Sequence, residues 1–591
     1  MAAFTSIASG NYNDGPTTWG TAAGVFPGST ASQADTITVS AGHTVALNVT
    51  TLAGTVGNVT IAATGVFEVA ANFAAYQKFT TGDWAVNGTL RWKNDAAGTY
   101  CLALVQAVVL TIKSGGKLEM VSESDPDIKH RLYLSAGSIS NTTYAITESG
   151  ATVDIRGYAA KTQKTITTVQ PVIGATSVTV DDATGWAIGD LIILQYGRSS
   201  IVKTITGGSG LTWSWSGALA ADMPEVISVY NMTKNVDLWN NNLARNCRLQ
   251  IAAGTTATIK NCSCIGFLLS QIIAEGIYER ITSYANAGYS FYLYGNNIKL
   301  KDSIGYIYAN SNTNFYIFGE NCILDGVDAI TPGTSTVAVR ILKSCIMKNF
   351  VVVGNSGISA SSSGRLFFNN GKVFDCITNG ILSANYEYYY AGNIDFGYDE
   401  HGNALQNAND LALGYAWGNF DNCKFSASSV EVATPSSDGN MVVLTNYDQT
   451  EGFRKELQRY GIIYSDAAEA RSGYCLACDP SSTTNSMKLL FSFPCAASKN
   501  PQVKFWAKKS GTLGNVGIML PSNSAGIIEV TDNSGSVDAD GYITPTDSWA
   551  QYTINLTGNS TIYGEVEVAI YMFDSDSGIL YIDDITISGN L

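Results

Sequence analysis

Along most of the chain, apolar residues fall in runs of three to five, alternate with polar ones and stop at a turn residue. Thr36-Ile37-Thr38-Val39, Val59-Thr60-Ile61, Val66-Phe67-Glu68-Val69, Trp84-Ala85-Val86, Leu90-Arg91-Trp92 and Leu110-Thr111-Ile112 follow this pattern. Period two marks strands that bury one face. Strands this short, closed by Gly or Asn turns, predict the coils of a solenoid. From Asn235 to about Ser429 one rung recurs in variants, at 257–265, 298–302, 321–325, 345–351 and 372–377. Cys322 and Cys345 stand 23 residues apart, about one coil of a parallel β-helix.

Two stretches depart from this pattern. Residues 169–236 carry longer strands around Gly185-Trp186-Ala187-Ile188-Gly189-Asp190 and Trp213-Ser214-Trp215, and predict a small antiparallel excursion. Beyond about residue 446 the strands lengthen and alternate regularly, at 488–493, 502–507, 549–556, 566–573 and 579–587, which predicts a β-sandwich. The one helix candidate is the mixed-charge run 451–459. The expected fold is all-β: a right-handed parallel β-helix beginning in 1–168, an antiparallel insertion over 169–236, the main helix over 237–430, a linker over 431–445, and a C-terminal jelly-roll sandwich over 446–591.

Composition sharpens this. Hydrophobic residues make up 45% and charged residues 14%, so Gly, Ser, Thr and Asn supply the remainder, as turns and polar ladders require. Eleven cysteines raise the question of zinc or disulfides, but Asn246-Cys247, Asn261-Cys262, Asn321-Cys322 and Asn422-Cys423 repeat one dipeptide, echoed by Asp375-Cys376. That is a structural repeat, with Cys as a small buried hydrophobe beside a turn residue. Cys475-Leu-Ala-Cys478 lies in a strand-like run and reads the same way. A net charge of −15 repels phosphate backbones and argues against nucleic acid. No run is long and apolar enough for a transmembrane helix, and the N-terminus lacks the charged and apolar regions of a signal peptide. A virion protein, made in the cytoplasm and released by lysis, reconciles that reading with an extracellular-type composition, and a chain whose signal has been removed fits equally. No Ser-His-Asp triad, phosphate loop or dinucleotide fingerprint is present.

The densest chemical cluster is Tyr386, Glu387, Tyr388, Tyr389, Tyr390, Asp395, Tyr398, Asp399, Glu400 and His401. Aromatic faces stack on sugar C–H faces and carboxylates bind hydroxyls, so Tyr386, Tyr388, Tyr389, Tyr390, Tyr398 and His401 are glycan-binding candidates. The alternative is a Tyr-rich packing interface. Glycoside hydrolysis needs two carboxylates. Glu387, Asp395, Asp399 and Glu400 are the candidates, with Glu275 and Glu279 upstream, and no motif fixes the pair. His401 beside Tyr398 admits a lyase base. His43 sits in a repeat-like turn and reads as structural.

Three resemblances bear on this picture. Thr18-Trp19-Gly20, Gly42-His43-Thr44-Val45, the 185–190 element and Asn231–Val236 resemble the first part of G8-domain β-helix proteins. Arg471–Cys475, Val503–Trp506, Asp547–Tyr552 and Leu580–Ile587 resemble carbohydrate-binding modules of the galactose-binding-like class. In those modules a structural Ca²⁺ often sits near the final strand, which places Asp583 as a metal ligand with Glu451 or Asp448 from the first strand; backbone N–H capping of Asp583 is the alternative. The whole resembles phage tailspike or fibre proteins. That implies a homotrimer attached to other virion proteins and contacting host surface polysaccharide. It leaves open a non-catalytic spike, a polysaccharide depolymerase acting as hydrolase or lyase, and a purely structural virion protein.

Overall fold

The computed structural model describes residues 2–588 apart from internal segments, the longest being 71–77, 136–143, 241–246, 425–430, 433–441, 446–453, 480–486, 520–526 and 533–541; residues 384–387 also fall outside it. The chain divides into two units. One comprises residues 1–359, 372–380 and 397–409; the other 360–371, 381–396 and 410–591.

The first unit is a parallel β-helix with three ladders of strands. One passes through Ala34–Val39, Thr55–Ile61 and Trp84–Val86 to Phe291–Leu293, Thr313–Ile317 and Val337–Ile341. A second runs from Thr44–Leu47 and Val66–Val69 to Lys299–Lys301, Cys322–Asp325 and Cys345–Val353. The third includes Gly98–Val105, Ile128–Ser135, Val236–Trp239, Thr282–Ala285, Ile304–Ile307 and Asp328–Ile330. Tyr278, Leu300, Leu324 and Met347 lie in successive register, giving coils of 22, 24 and 23 residues. Cys322 pairs in register with Cys345, as their spacing predicts. Burial alternates along the short strands, and Leu118, Met120, Leu300, Leu324 and Met347 are among the side chains with no exposed surface.

The Asn-Cys repeat has a backbone cause. Asn261, Asn321 and Asp375 hold φ of 52°, 55° and 52°, the left-handed region that short polar side chains tolerate best. Each turns the chain through a corner, and Cys262, Cys322 and Cys376 follow as buried thiols. His130 is a buried polar exception. One ring nitrogen lies 3.0 Å from the Lys93 carbonyl and the other has no partner. Burial pushes its pKa down to about 4.

The excursion is a six-stranded antiparallel sheet containing Lys164–Ile166, Ser177–Thr179, Leu191–Gln195, Ile201–Ser209, Thr212–Trp215 and Ser228–Asn231. It begins ahead of the Val169 boundary drawn from the sequence, and Val236–Trp239 already belongs to the parallel helix. Val178, Trp186, Ile192, Leu194, Trp213, Trp215 and Val229 form its own core. Ile193, Tyr230 and Met232 pack instead on Ile304, Tyr306, Ile330, Val351 and Val353 of the β-helix. This explains why Ile304–Ile307 and Asp328–Ile330 are buried at every position rather than alternately.

The second unit contains the parallel strands Tyr388–Phe396, Trp417–Asp421 and Val442–Thr445, the last inside the stretch read as linker. It ends in a sandwich of a five-stranded and a six-stranded antiparallel sheet. The helix expected over 451–459 is corrected: Arg454–Gln458 is a strand, paired antiparallel with Met487–Ala496. A nine-residue run is too short to hold helix without packing, and strand pairing overrides its propensity. Cys475–Asp479 is a strand, as its pattern indicates, and both its cysteines are buried.

Candidate functional site

Corners between the second and third ladders stack on one another. Arg280, Asp302, Gly326 and Asn349 occupy this column with φ of 54°, 46°, 71° and 51°. Backbone N–H groups of Arg280, Asp302 and Gly326 donate to the carbonyls of Lys301, Asp325 and Lys348 on the following coil. These four corners form the floor of a cleft of about 550 Å³. Ala159, Ala160, Thr162, Gln163 and Lys164, where the chain enters the antiparallel excursion, form one wall with Asp182, and Glu400 contributes another. At Gly326 a Cβ would lie 2.3 Å from the end of the Asp302 side chain, so any other residue there would have to displace that carboxylate.

A charged cluster centres on Lys164. Its Nζ donates to Asp328 Oδ2 at 2.8 Å and to Glu400 Oε1 at 2.6 Å. Lys164 pairs in register with Tyr230, whose ring lies 5.3 Å beneath the ammonium. Burial pushes the Lys164 pKa down, but Asp328 and then Glu400 outweigh it, so the group stays above its ordinary value. Asp328 is the first residue of its strand and is buried. Burial raises its carboxyl, Lys164 opposes this, and Glu400 adds to the rise, leaving Asp328 above the ordinary aspartate value. Ser228 Oγ donates to Glu400 Oε2 at 3.1 Å and lies 3.0 Å from His401 Nε2. Asp182 accepts hydrogen bonds from Thr162 and Thr184 hydroxyls, and the Thr162 bond holds its carboxyl below the usual range.

The sequence-derived candidates fare differently. Glu400 lines the cleft and His401 stands beside it through Ser228. Asp399 is buried, and its carboxylate accepts the His401 and Asn403 backbone N–H groups at 2.9 and 2.8 Å and the Asn403 amide at 2.8 Å, so it holds the loop. Tyr398 bridges Ala404 across the same loop. Asp395 belongs to the second unit, bridged in parallel to Lys424. The backbone of Tyr388, Tyr389 and Tyr390 pairs with Trp417–Asn419 in that unit. Tyr386 and Glu387 lie outside the described residues, as do Glu451 and Asp448. Glu275 and Glu279 meet Asn297 and Lys301 on neighbouring coils.

Asp583 is buried, and its two oxygens accept the backbone N–H groups of Arg471 and Asp584 at 2.8 and 2.7 Å. Asp584 has φ of 46° and sits at a bulge, so the strict alternation expected from Tyr581 through Asp583 to Ile587 breaks there. Asp584 ion-pairs with Arg471, whose guanidinium lies 3.7 Å over the Trp506 ring. Among the described residues no group of three or more His, Cys, Asp or Glu side chains is placed to hold a metal ion.

Lys164, Asp328, Arg280 and Tyr230 escaped the sequence reading because they are far apart in the chain. The signal for the site was the loss of alternation at Ile304-Gly-Tyr-Ile307 and Phe350-Val-Val-Val353, which marks strands covered on both faces.

No protein-family model matches the chain, and no curated protein matches it. Among solved structures it is similar to the tailspike gp49 of Acinetobacter baumannii bacteriophage Fri1, a capsular polysaccharide depolymerase, at 9% identity over 89% of this chain and 81% of that one, with a TM-score of 0.28. It is also similar to the tailspike gp61 of Pseudomonas phage phi297, at 10% identity over 84% and 90%, with a TM-score of 0.21. A family 11 carbohydrate-binding module from Clostridium thermocellum covers 25% of this chain and 95% of its own at 16% identity, with a TM-score of 0.17. At these identities and TM-scores the similarities bear on no individual residue.

Proposed function

We propose that this chain is a phage tailspike or fibre protein whose cleft binds a host surface polysaccharide. The observation that carries this reading is the cleft itself. It is about 550 Å³ in volume and lined by Gln163, Asp182, Arg280, Asp302, Asn349 and Glu400, a mixture of donors and acceptors suited to sugar hydroxyls. Its floor is a stack of parallel coils, so the groups are held in place before a ligand arrives. In this reading the protein is a homotrimer attached to other virion proteins, and repeated weak contacts sum to firm attachment.

A second reading, a depolymerase, draws on one specific observation. Asp328 and Glu400 both bind the same ammonium, so their nearest oxygens stand closer than the roughly 6.5–9.5 Å of an inverting pair. Asp328, with its raised carboxyl, suits the role of general acid, and Glu400 that of the second carboxylate.

Incubation with a panel of purified capsular polysaccharides and O-antigens, followed by sizing, tests both. Chains retained at full length support the adhesin. Chains shortened by the native protein but not by Asp328→Asn or Glu400→Gln support the depolymerase. Absence of any binding would contradict the glycan reading and leave a structural virion protein.

A further inference from the structure

Charge is distributed unevenly within the cleft. At one end Lys164 is engaged by two carboxylates. At the other, the guanidinium of Arg280 has no carboxylate within ion-pair distance among the described residues. Its Nη2 makes a long contact of 3.4 Å to the Lys161 carbonyl. Asp302, on the next corner, lies 3.7 Å from the Lys301 ammonium instead. Two more cations stand behind Arg280. Lys161 is matched by Asp190 at 2.7 Å. Lys234 is buried with its Nζ 3.5 Å from the Lys161 carbonyl, and burial, then Arg280, then Lys161 push it toward its neutral form. Lys161 is thus matched and Lys234 is held toward neutrality, which leaves Arg280 as the guanidinium at this end that no carboxylate engages among the described residues.

A second observation points to a ligand. Gln163 donates its amide to the Asp302 carbonyl at 2.9 Å, which fixes the side chain in the wall, and its Oε1 is a buried acceptor with no partner. A guanidinium offers coplanar donors that match carboxylate or phosphate two at a time. A buried amide oxygen in the wall of the same cleft needs a donor such as a sugar hydroxyl.

We infer that the cleft takes an acidic glycan, with a carboxylate or phosphate of the repeat seated on Arg280 and a neighbouring hydroxyl donating to Gln163 Oε1. This inference rests on the glycan reading above. It assigns the sugar class that reading leaves open: the Arg280 end holds the anionic residue, and the Lys164, Asp328 and Glu400 end faces a neutral one.

The test is an array of acidic and neutral bacterial polysaccharides, each acidic one printed in native, carboxyl-reduced and dephosphorylated forms. It is probed with the full chain and with Arg280→Asn and Arg280→Lys. Asn keeps a residue suited to the left-handed corner, and matched melting temperatures would show that both variants are folded. The expected result is retention of acidic polysaccharides only, a loss of at least about tenfold for Arg280→Asn and a smaller loss for Arg280→Lys. Loss of binding on carboxyl reduction assigns the anion as a carboxylate, and loss on dephosphorylation assigns it as a phosphate. Binding that survives both treatments and Arg280→Asn would overturn the acidic-glycan inference while leaving the glycan reading intact. An array on which nothing is retained would overturn the glycan reading, and this inference with it.

Discussion

His130 and Lys164 show how single side chains report on the fold. His130 is buried as the neutral imidazole, with its pKa pushed to about 4 against an ordinary value near 6.5. A group whose folded pKa is depressed contributes stability that is present above the unfolded value and is lost as pH falls through the folded one. Stability of the first unit should therefore decline between pH 6.5 and 4, with a contribution from His130 of at most roughly 3 kcal/mol. His130→Gln, which keeps a donor for the Lys93 carbonyl, should flatten that decline in denaturant titrations across the window; an unchanged slope would remove His130 from the account. Lys164 has the opposite role, since it compensates the buried Asp328. Lys164→Met should destabilise by roughly 1–3 kcal/mol, less than the roughly 3–5 kcal/mol of a fully buried pair, because Lys164 retains some solvent contact. Adding Asp328→Asn should recover much of that loss, and additive costs would show that the two groups are not coupled. At this scale the sequence points to Glu400 and His401, which lie together in one charged stretch and which the structure places at or beside the candidate cleft. It could not disclose Lys164 or Asp328, separated by 164 residues.

Elements explain why the cleft exists. Its floor depends on corner residues in the left-handed region, and the Asn-Cys repeat made that type of corner legible before the structure did. What the repeat meant was also legible, a turn residue followed by a buried thiol, whereas the stacking of Arg280, Asp302, Gly326 and Asn349 into one column was not, because these residues share no sequence pattern. Asn321→Val should cost about 1–2 kcal/mol, and Asn321→Gly should be close to neutral, measured by chemical denaturation. Gly326→Ala should cost about 1 kcal/mol of stability, because a φ of 71° strains a Cβ, and should also weaken glycan binding, since its methyl group would enter the space of the Asp302 carboxylate in the cleft floor. A stability loss with unchanged binding would place Gly326 outside the site. The excursion was visible in the sequence as longer, antiparallel strands, but its task was not. Its own tryptophan-rich core makes it a folded element, and the second face carrying Ile193, Tyr230 and Met232 fixes it on the β-helix, so that its first strand brings Lys164 to the cleft. The run at 451–459 has helical propensity, but strand pairing of Arg454–Gln458 with residues 30 to 38 positions later decides its state, and local propensity carries no sign of that partner.

At the scale of the whole molecule, one unit carries a polar cleft built on stacked coils and the other ends in a sandwich. Each coil repeats the backbone of its neighbour, so a site built on stacked corners needs little reorganisation on binding. The all-β class, the parallel helix, the antiparallel excursion and the terminal sandwich were all legible in periodicity and turn chemistry. The cleft was not, because it arises where one element crosses another. The most direct test is hydrogen exchange of the full chain with and without a polysaccharide it retains. The account predicts slowed exchange at 159–164, at the corners around Arg280, Asp302 and Gly326, and in the loop carrying Glu400. Protection confined to the sandwich strands Gln502–Ser510 and Ala550–Gly558, with the cleft unchanged, would contradict it.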